Sequence, residues 1–130
     1  MPQFRISKAA ELLGVSDDTV RRWISAGQLS ETKDDAGRSV IDGEQLAAFS
    51  QAQANQPETD SQVSARNELP GLVTRVISDK VMSQVEMQCG NFRITSLIST
   101  EAVEELGLAP GVMAIAQIKA TNVVINRGDK

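Results

Sequence analysis

The feature that most constrains this chain is a change of hydrophobic period around a polar stretch in its middle. Upstream of Gln51 apolar residues recur at helical spacing, and downstream of Ser64 they alternate with polar ones as strands do. Between them lies QAQANQPETDSQVS, rich in Gln, Ala and Ser, with Pro57 and a single branched aliphatic, Val63. Such a run buries too little apolar surface to order itself. It reads as a linker over residues 51–63, on the order of 20 Å long as a flexible coil. A polar continuation of the preceding helix, stopping before Pro57, is the alternative. The chain therefore divides into a small helical domain over 1–50 and a β-domain over 64–130, α+β overall.

Each half holds about 60 residues, a core that is marginal alone, so oligomerisation is expected. Phe4, Trp23, Phe49 and Phe92 are its only aromatics, leaving a mainly aliphatic core. No run approaches the roughly 20 apolar residues of a membrane helix, and the start lacks a signal-peptide layout, so a cytoplasmic location is expected. The single Cys89 cannot form an intrachain disulfide. Histidine is absent, which removes the commonest general base and metal ligand. No cysteine cluster or paired-acid motif replaces it, so neither an enzyme nor a zinc site is expected. The net charge of −4 gives no global attraction to phosphate, and DNA binding would have to rest on local charge.

In the first half, Ser7 is placed to cap a helix through Leu13 ended by Gly14, and Ser16 to cap a second one to about Ala26 ended by Gly27. Ala9, Leu13, Val15, Val20, Ile24 and Leu29 then form one buried seam. The polar side of the second helix carries Thr19 and Arg22 with Arg21 beside them, a surface suited to the major groove. Leu29 to Val40 reads as a hairpin wing bearing Lys33 and Arg38, before a last helix from Gly43 to Ser50. Asp17 and Asp18 head the second helix, where they complement its dipole. Trp23 reads as a core anchor with one wet edge.

These residues, ISKAAELLGVSDDTVRRWISAGQL followed by GRSVIDGEQLAAF, resemble the winged helix-turn-helix of the MerR and excisionase families over about residues 4 to 50. The resemblance implies that Thr19, Arg21 and Arg22 look toward double-stranded DNA and that Lys33 and Arg38 meet its backbone. The aspartates at 17, 18, 34 and 35 depart from that pattern.

The second half gives LVTRVIS, VMSQVEMQ, FRITSLIS and VMAIAQIKATNVVI, with turn signals at Gly90–Asn91 and Pro110–Gly111. Between the third and fourth runs, TEAVEELGL reads as a short helix closed by Gly107. Four or five strands and one helix fit an OB-like β-barrel. Its polar residues (Ser64, Ser96, Ser99, Thr100, Thr121, Asn67, Asn122, Arg66 and Lys119) are hydrogen-bond donors, a set that favours a tetrahedral oxyanion over a cation. Arg75 and Arg93 read as solvent-facing strand residues.

SARNELPGLVTRVISDKVMSQVEMQCG, SLISTEAVEELGL and AIAQIKATNVVI resemble the molbindin, or Mop/TOBE, domain over about residues 64 to 126. That likeness implies molybdate, with tungstate as a possible substitute, held between subunits of a homo-oligomer. The positions carried over are Ser64, Arg66, Ser99 and Lys119, with the backbone around Thr100 and Ala120. Ala102 stands where the family can have a serine, so one donor is missing or replaced by Thr100.

The combined expectation is a molybdate-responsive transcriptional regulator. The alternative is a molybdate storage or homeostasis protein without regulatory DNA binding, and a third reading is a DNA binder whose β-domain only oligomerises.

Overall fold

The computed structural model describes residues 2–54 and 67–128, which fall into two compact units, one on either side of residues 55–66. Ser64 and Arg66 lie outside the described residues.

The N-terminal unit runs β1 (Gln3–Arg5), α1 (Ile6–Leu13), α2 (Asp17–Ser25), β2 (Thr32–Lys33), β3 (Ser39–Asp42) and α3 (Gly43–Gln53). Its antiparallel sheet has the order β1-β3-β2, so the expected wing hairpin gains a third strand, with Phe4 opposite Ile41. That strand also displaces the start of α1. The helix begins at Ile6, directly after the pairing ends, with Arg5 at the cap and no side-chain cap bond, so Ser7 lies inside the first turn rather than capping it. The other boundaries follow local chemistry. Gly14 takes φ 68° and closes α1 through bonds to the Ala10 and Glu11 carbonyls. Ser16 caps α2 by accepting from the Thr19 amide, and Asp42 caps α3 by accepting from the Gln45 amide. α3 continues three residues beyond Ser50, into the stretch read as linker.

Ala9, Ala10, Val20, Leu29, Ile41 and Leu46 form the buried centre of this unit, packed by Phe4, Ile6, Leu13, Val15, Trp23, Ile24 and Phe49. Trp23 and Phe49 meet at a ring-centroid distance of 4.8 Å, tilted by 55°, which gives Trp23 its anchoring role.

The C-terminal unit runs β4 (Asn67–Ser78), β5 (Met82–Cys89), β6 (Phe92–Ser99), α4 (Thr100–Leu106), β7 (Met113–Ile118) and a 3₁₀ turn (Ala120–Asn122). Its antiparallel sheet has the order β6-β5-β4-β7. β4 starts five residues before Leu72, because Asn67 to Leu72 pair with β7. From Leu72 onward the strand pairs with β5, across an irregularity between Val73 and Arg75. Pro70, which has no N–H to give, falls in the stretch that pairs with β7 alone. One strand shared in this way curls the sheet into a half-barrel. Among the described residues β6 and β7 do not pair with each other, so the barrel stays open.

The last strand is shorter than its alternation suggests. It stops at Ile118, and Lys119 to Asn122 turn through a 3₁₀ bond from the Asn122 amide to the Lys119 carbonyl. Val124 and Ile125 beyond it are 91% and 85% exposed. The core is small: Val73, Val85 and Val103, with Val76, Ile98, Leu108 and Ala114 against them. No described helix is long and apolar enough to cross a membrane.

Gly71 marks the tightest approach in this sheet. A Cβ there would meet the Gln88 carbonyl oxygen at 2.3 Å and Cys89 Sγ at 2.7 Å. Gly71→Ala is therefore expected to cost the C-terminal unit about 2–3 kcal/mol through forced backbone displacement, measured as a lowered denaturant midpoint.

Candidate functional site

The polar face of α2 is built by its cap. Ser16 Oγ accepts from the Thr19 amide at 3.2 Å and lies 2.9 Å from Thr19 Oγ1, which in turn accepts from Arg22 Nη2 at 3.0 Å. Ser16, Thr19 and Arg22 thus form one line of side chains three residues apart. Arg21 stands on a different line. It opens into a cavity of 530 Å³ lined also by Arg5, Ser7, Asp17, Glu31 and Ser39. Among the described residues, no carboxylate is ion-paired with Arg5, Arg21 or Arg22. Nothing in its spacing linked Arg5 to Arg21; the route is spatial, through β1.

The wing uses its own cations. Lys33 Nζ donates to Ser39 Oγ at 2.7 Å, and Arg38 Nε meets Asp34 Oδ2 at 3.1 Å. Asp34 Oδ1 also accepts from the Ala36 and Arg38 amides, both at 2.9 Å, and Gly37 takes φ 78° to complete the turn. Asp34, one of the aspartates that depart from the family pattern, therefore holds the hairpin, and Arg38 is tied to it.

The Arg38 backbone amide, then the Ala36 amide and the Arg38 charge, hold the Asp34 carboxyl below its ordinary value of 3.8, against a partial loss of hydration. A depressed folded pKa means the turn's carboxylate contribution is fully present above pH 3.8 and is lost as pH falls through the depressed value. Amide exchange at Ala36 and Arg38 should stay protected as free carboxylates protonate near pH 4 and open only in stronger acid. Asp34→Ala should expose both amides at neutral pH.

In the C-terminal unit Ser99 caps α4, its Oγ accepting from the Ala102 amide at 3.1 Å, while Gly107 with φ 65° ends the helix. Thr100 is the anchor of this entrance. Its amide donates to the Val81 carbonyl at 2.9 Å and its hydroxyl to the Asp79 carbonyl at 2.8 Å. With that proton used, Ser83 must donate to Thr100 Oγ1 at 2.8 Å, and Ser78 to Ser83 at 2.6 Å. Ser83 is only 1% exposed. Thr100 therefore spends its hydroxyl and amide hydrogens within its own chain and has no donor left to replace a missing serine. Asp79 holds the turn from the other side, accepting from the Val81 and Met82 amides, which lower its carboxyl pKa, the Met82 bond most.

Lys119 and Ala120 are exposed at the far end of β7. Asn67, the residue after Arg66, pairs with Ile118, the residue before Lys119, and its Nδ2 donates to the Ile118 carbonyl at 3.0 Å. Ser99 ends β6, on the opposite edge of the sheet. The two edge strands line one 640 Å³ cavity together, through Ser96 and Ile98 of β6 and Gln117 and Ile118 of β7, but neither Ser99 and Thr100 nor Lys119 and Ala120 line it.

Arg75 and Arg93 face solvent, but both reach Glu86, at 3.6 and 3.4 Å, and this carboxylate is 8% exposed. They neutralise a buried charge across three strands, which strand alternation alone did not disclose.

Residues 63–125 match the TOBE domain family. Over 64 residues the chain is 41% identical to molybdenum-pterin-binding protein 1 of Clostridium pasteurianum, covering 48% of this chain and 94% of that protein. The chain belongs to the TOBE family. In front of the TOBE half, residues 4–54 match the helix-turn-helix domain family. The TOBE half is also 39% identical over 64 residues to a probable molybdenum-pterin-binding protein of Haemophilus influenzae, covering 48% of this chain and 93% of that one. Among solved structures, MopII from Clostridium pasteurianum (apo2) is 39% identical, covering 50% of this chain and 98% of that chain, with a TM-score of 0.47.

Replacing Ser83 by Ala should break the hydroxyl chain and cost about 1–3 kcal/mol, because buried partners lose a bond. Ser83→Thr should retain part of it, read in the same denaturant titration.

Proposed function

We propose that this chain is a cytoplasmic molybdate-responsive transcriptional regulator, a binding protein rather than an enzyme, with a DNA-binding head over 1–50 joined by residues 51–63 to an oxyanion domain over 64–130. The observation that carries this reading is the fusion itself. One chain joins a helix-turn-helix domain, whose recognition face holds arginines without ion pairs among the described residues, to a TOBE domain whose relatives are named for molybdenum.

The anion ligands in this reading are Ser64, Arg66, Ser99 and Lys119 with the backbone near Ala120, Thr100 holding the helix entrance in place. In this reading the donor ring is completed between two copies, and within one chain Ser99 and Lys119 stand at the ends of different edge strands and line no common cavity among those described. Exposed apolar side chains supply a surface for that assembly: Phe92, Leu97 and Met113 are 69–71% exposed, and Val124 and Ile125 more so. A dianion with four acceptor oxygens fits such a ring, with one or two cations for charge. Tungstate, of the same charge and shape, would bind the same donors.

A second reading, storage without regulated DNA binding, is favoured by one observation. Residues 1–56 carry eight acidic against six basic side chains, and one of the six, Arg38, is committed to Asp34. Equilibrium dialysis with labelled molybdate and duplex-binding isotherms separate the two. Regulation predicts saturable molybdate binding, weakened at least about a hundredfold by joint replacement of Arg66 and Lys119 with Ala, and a duplex isotherm that moves when molybdate is added. Coincident duplex isotherms with intact molybdate binding would leave storage. Unchanged dialysis in the double variant would falsify the anion site.

A further inference from the structure

We propose that the adjacent arginines of α2 do different work on one duplex: Arg22, held by Thr19, addresses base edges, and Arg21, with Arg5 across the cleft, seats a backbone phosphate. This rests on the DNA-binding reading above and divides its surface in two.

A helix turns about 100° per residue, so neighbouring side chains point to different sides. Arg22 lies on the line Ser16–Thr19–Arg22, and its guanidinium is fastened to Thr19 Oγ1 at 3.0 Å, with Ser16 Oγ 2.9 Å behind. A guanidinium carries five N–H donors. One is spent on Thr19, and the rest of the fork is oriented with no carboxylate ion-paired to it among the described residues. Base-edge recognition needs this, because a bidentate contact to guanine depends on angle as well as charge, and a guanidinium already oriented loses less freedom on docking. Thr19 is on this geometry a positioning residue and need touch no base.

Arg21 has no such tether. It lines the 530 Å³ cavity with Arg5, from the end of β1, and with Ser7 and Ser39, the latter on the wing. Two guanidinium groups and two hydroxyls from separate elements offer donors without a fixed plane, which is what a phosphate requires. Asp17 and Glu31 line the same cavity and pair with neither arginine. A phosphate binds there against their charge, so the seat makes a positioning contact and strong affinity must come from elsewhere.

The test uses the full-length chain, a duplex it selects from a random-sequence pool and a scrambled duplex of equal length, in anisotropy titrations across a salt series. Thr19→Val changes no charge. It should leave the salt slope alone, lower the selected-to-scrambled affinity ratio about tenfold, and add little when Arg22→Ala is already present, while Thr19→Ser restores the ratio. Arg5→Ala and Arg21→Ala should each weaken both duplexes alike, keep the ratio, and lower the salt slope, by about one for the pair together because they share one phosphate. Lys8→Ala, an equal change of charge outside the cavity, should leave the slope unchanged. A Thr19→Val protein that keeps both its melting midpoint and its ratio overturns the role of Thr19. Arg5→Ala behaving as Lys8→Ala overturns the phosphate seat. If the wild type prefers no duplex, the DNA-binding reading itself falls and this proposal with it.

Discussion

Because the first half of β4 pairs with β7 and its second half with β5, the organisation of the TOBE half hangs on the step this strand takes between Val73 and Arg75. Gly71 makes the step possible, since the Gln88 carbonyl occupies the space any Cβ would need. The Val73 side chain is fully buried beside the step, and its amide and carbonyl bind Val112 and Gly111. Strand sharing leaves β6 and β7 as separate edges, and the described candidate ligands follow one edge or the other.

Much of this fold was legible locally because its boundaries are set by residues with a single preferred role. Gly14 and Gly107 close their helices in left-handed conformations that other residues adopt at a cost, and Ser16 and Ser99 cap theirs by accepting from an amide three residues on. What escaped was set by pairing across distance. Gln3–Arg5 reads as an unremarkable polar lead until Ile41 of β3 is opposite Phe4. Ser7 lost its capping role to that same strand. The alternation AIAQIKATNVVI continues past Ile118, but a 3₁₀ turn takes over at Lys119, and no period in the sequence marks the change.

The candidate sites divide in the same way. Motif context placed Thr19, Arg21 and Arg22 on one helix, yet it could not show that Arg22 is tethered and Arg21 is not, because that depends on a rotamer settled by the Ser16 cap. Arg38 and Asp34 were legible as neighbours of opposite sign, but their signs alone suggest competition at a DNA surface. The structure makes them one turn. For Thr100, residue type suggested a donor to a ligand, and only the chain Ser78–Ser83–Thr100–Asp79 shows that its hydrogens are already committed. Arg75 and Arg93 resemble ordinary surface cations for a related reason, since the Glu86 they share is buried and sits on the strand between theirs.

Regulation by an anion requires more than two binding sites in one chain. A ligand shifts an equilibrium only by the difference in its affinity for the two states, and a ligand bound equally in both changes nothing. A donor ring completed by a second copy, as proposed above, would meet this condition, because the anion would bind the assembled form in preference to the free chain. Anion binding and assembly are then linked, and whatever assembly does to the spacing of two helix-turn-helix heads is felt at a two-half-site duplex. The acidic balance of the head, which favours storage, is compatible with regulation only under that arrangement. With few free cations, a single head gains little from phosphate attraction, so affinity has to come from the joint engagement of two heads. A weak head on a chain that paired around an anion would make DNA binding depend on the anion, which a strongly basic head would not.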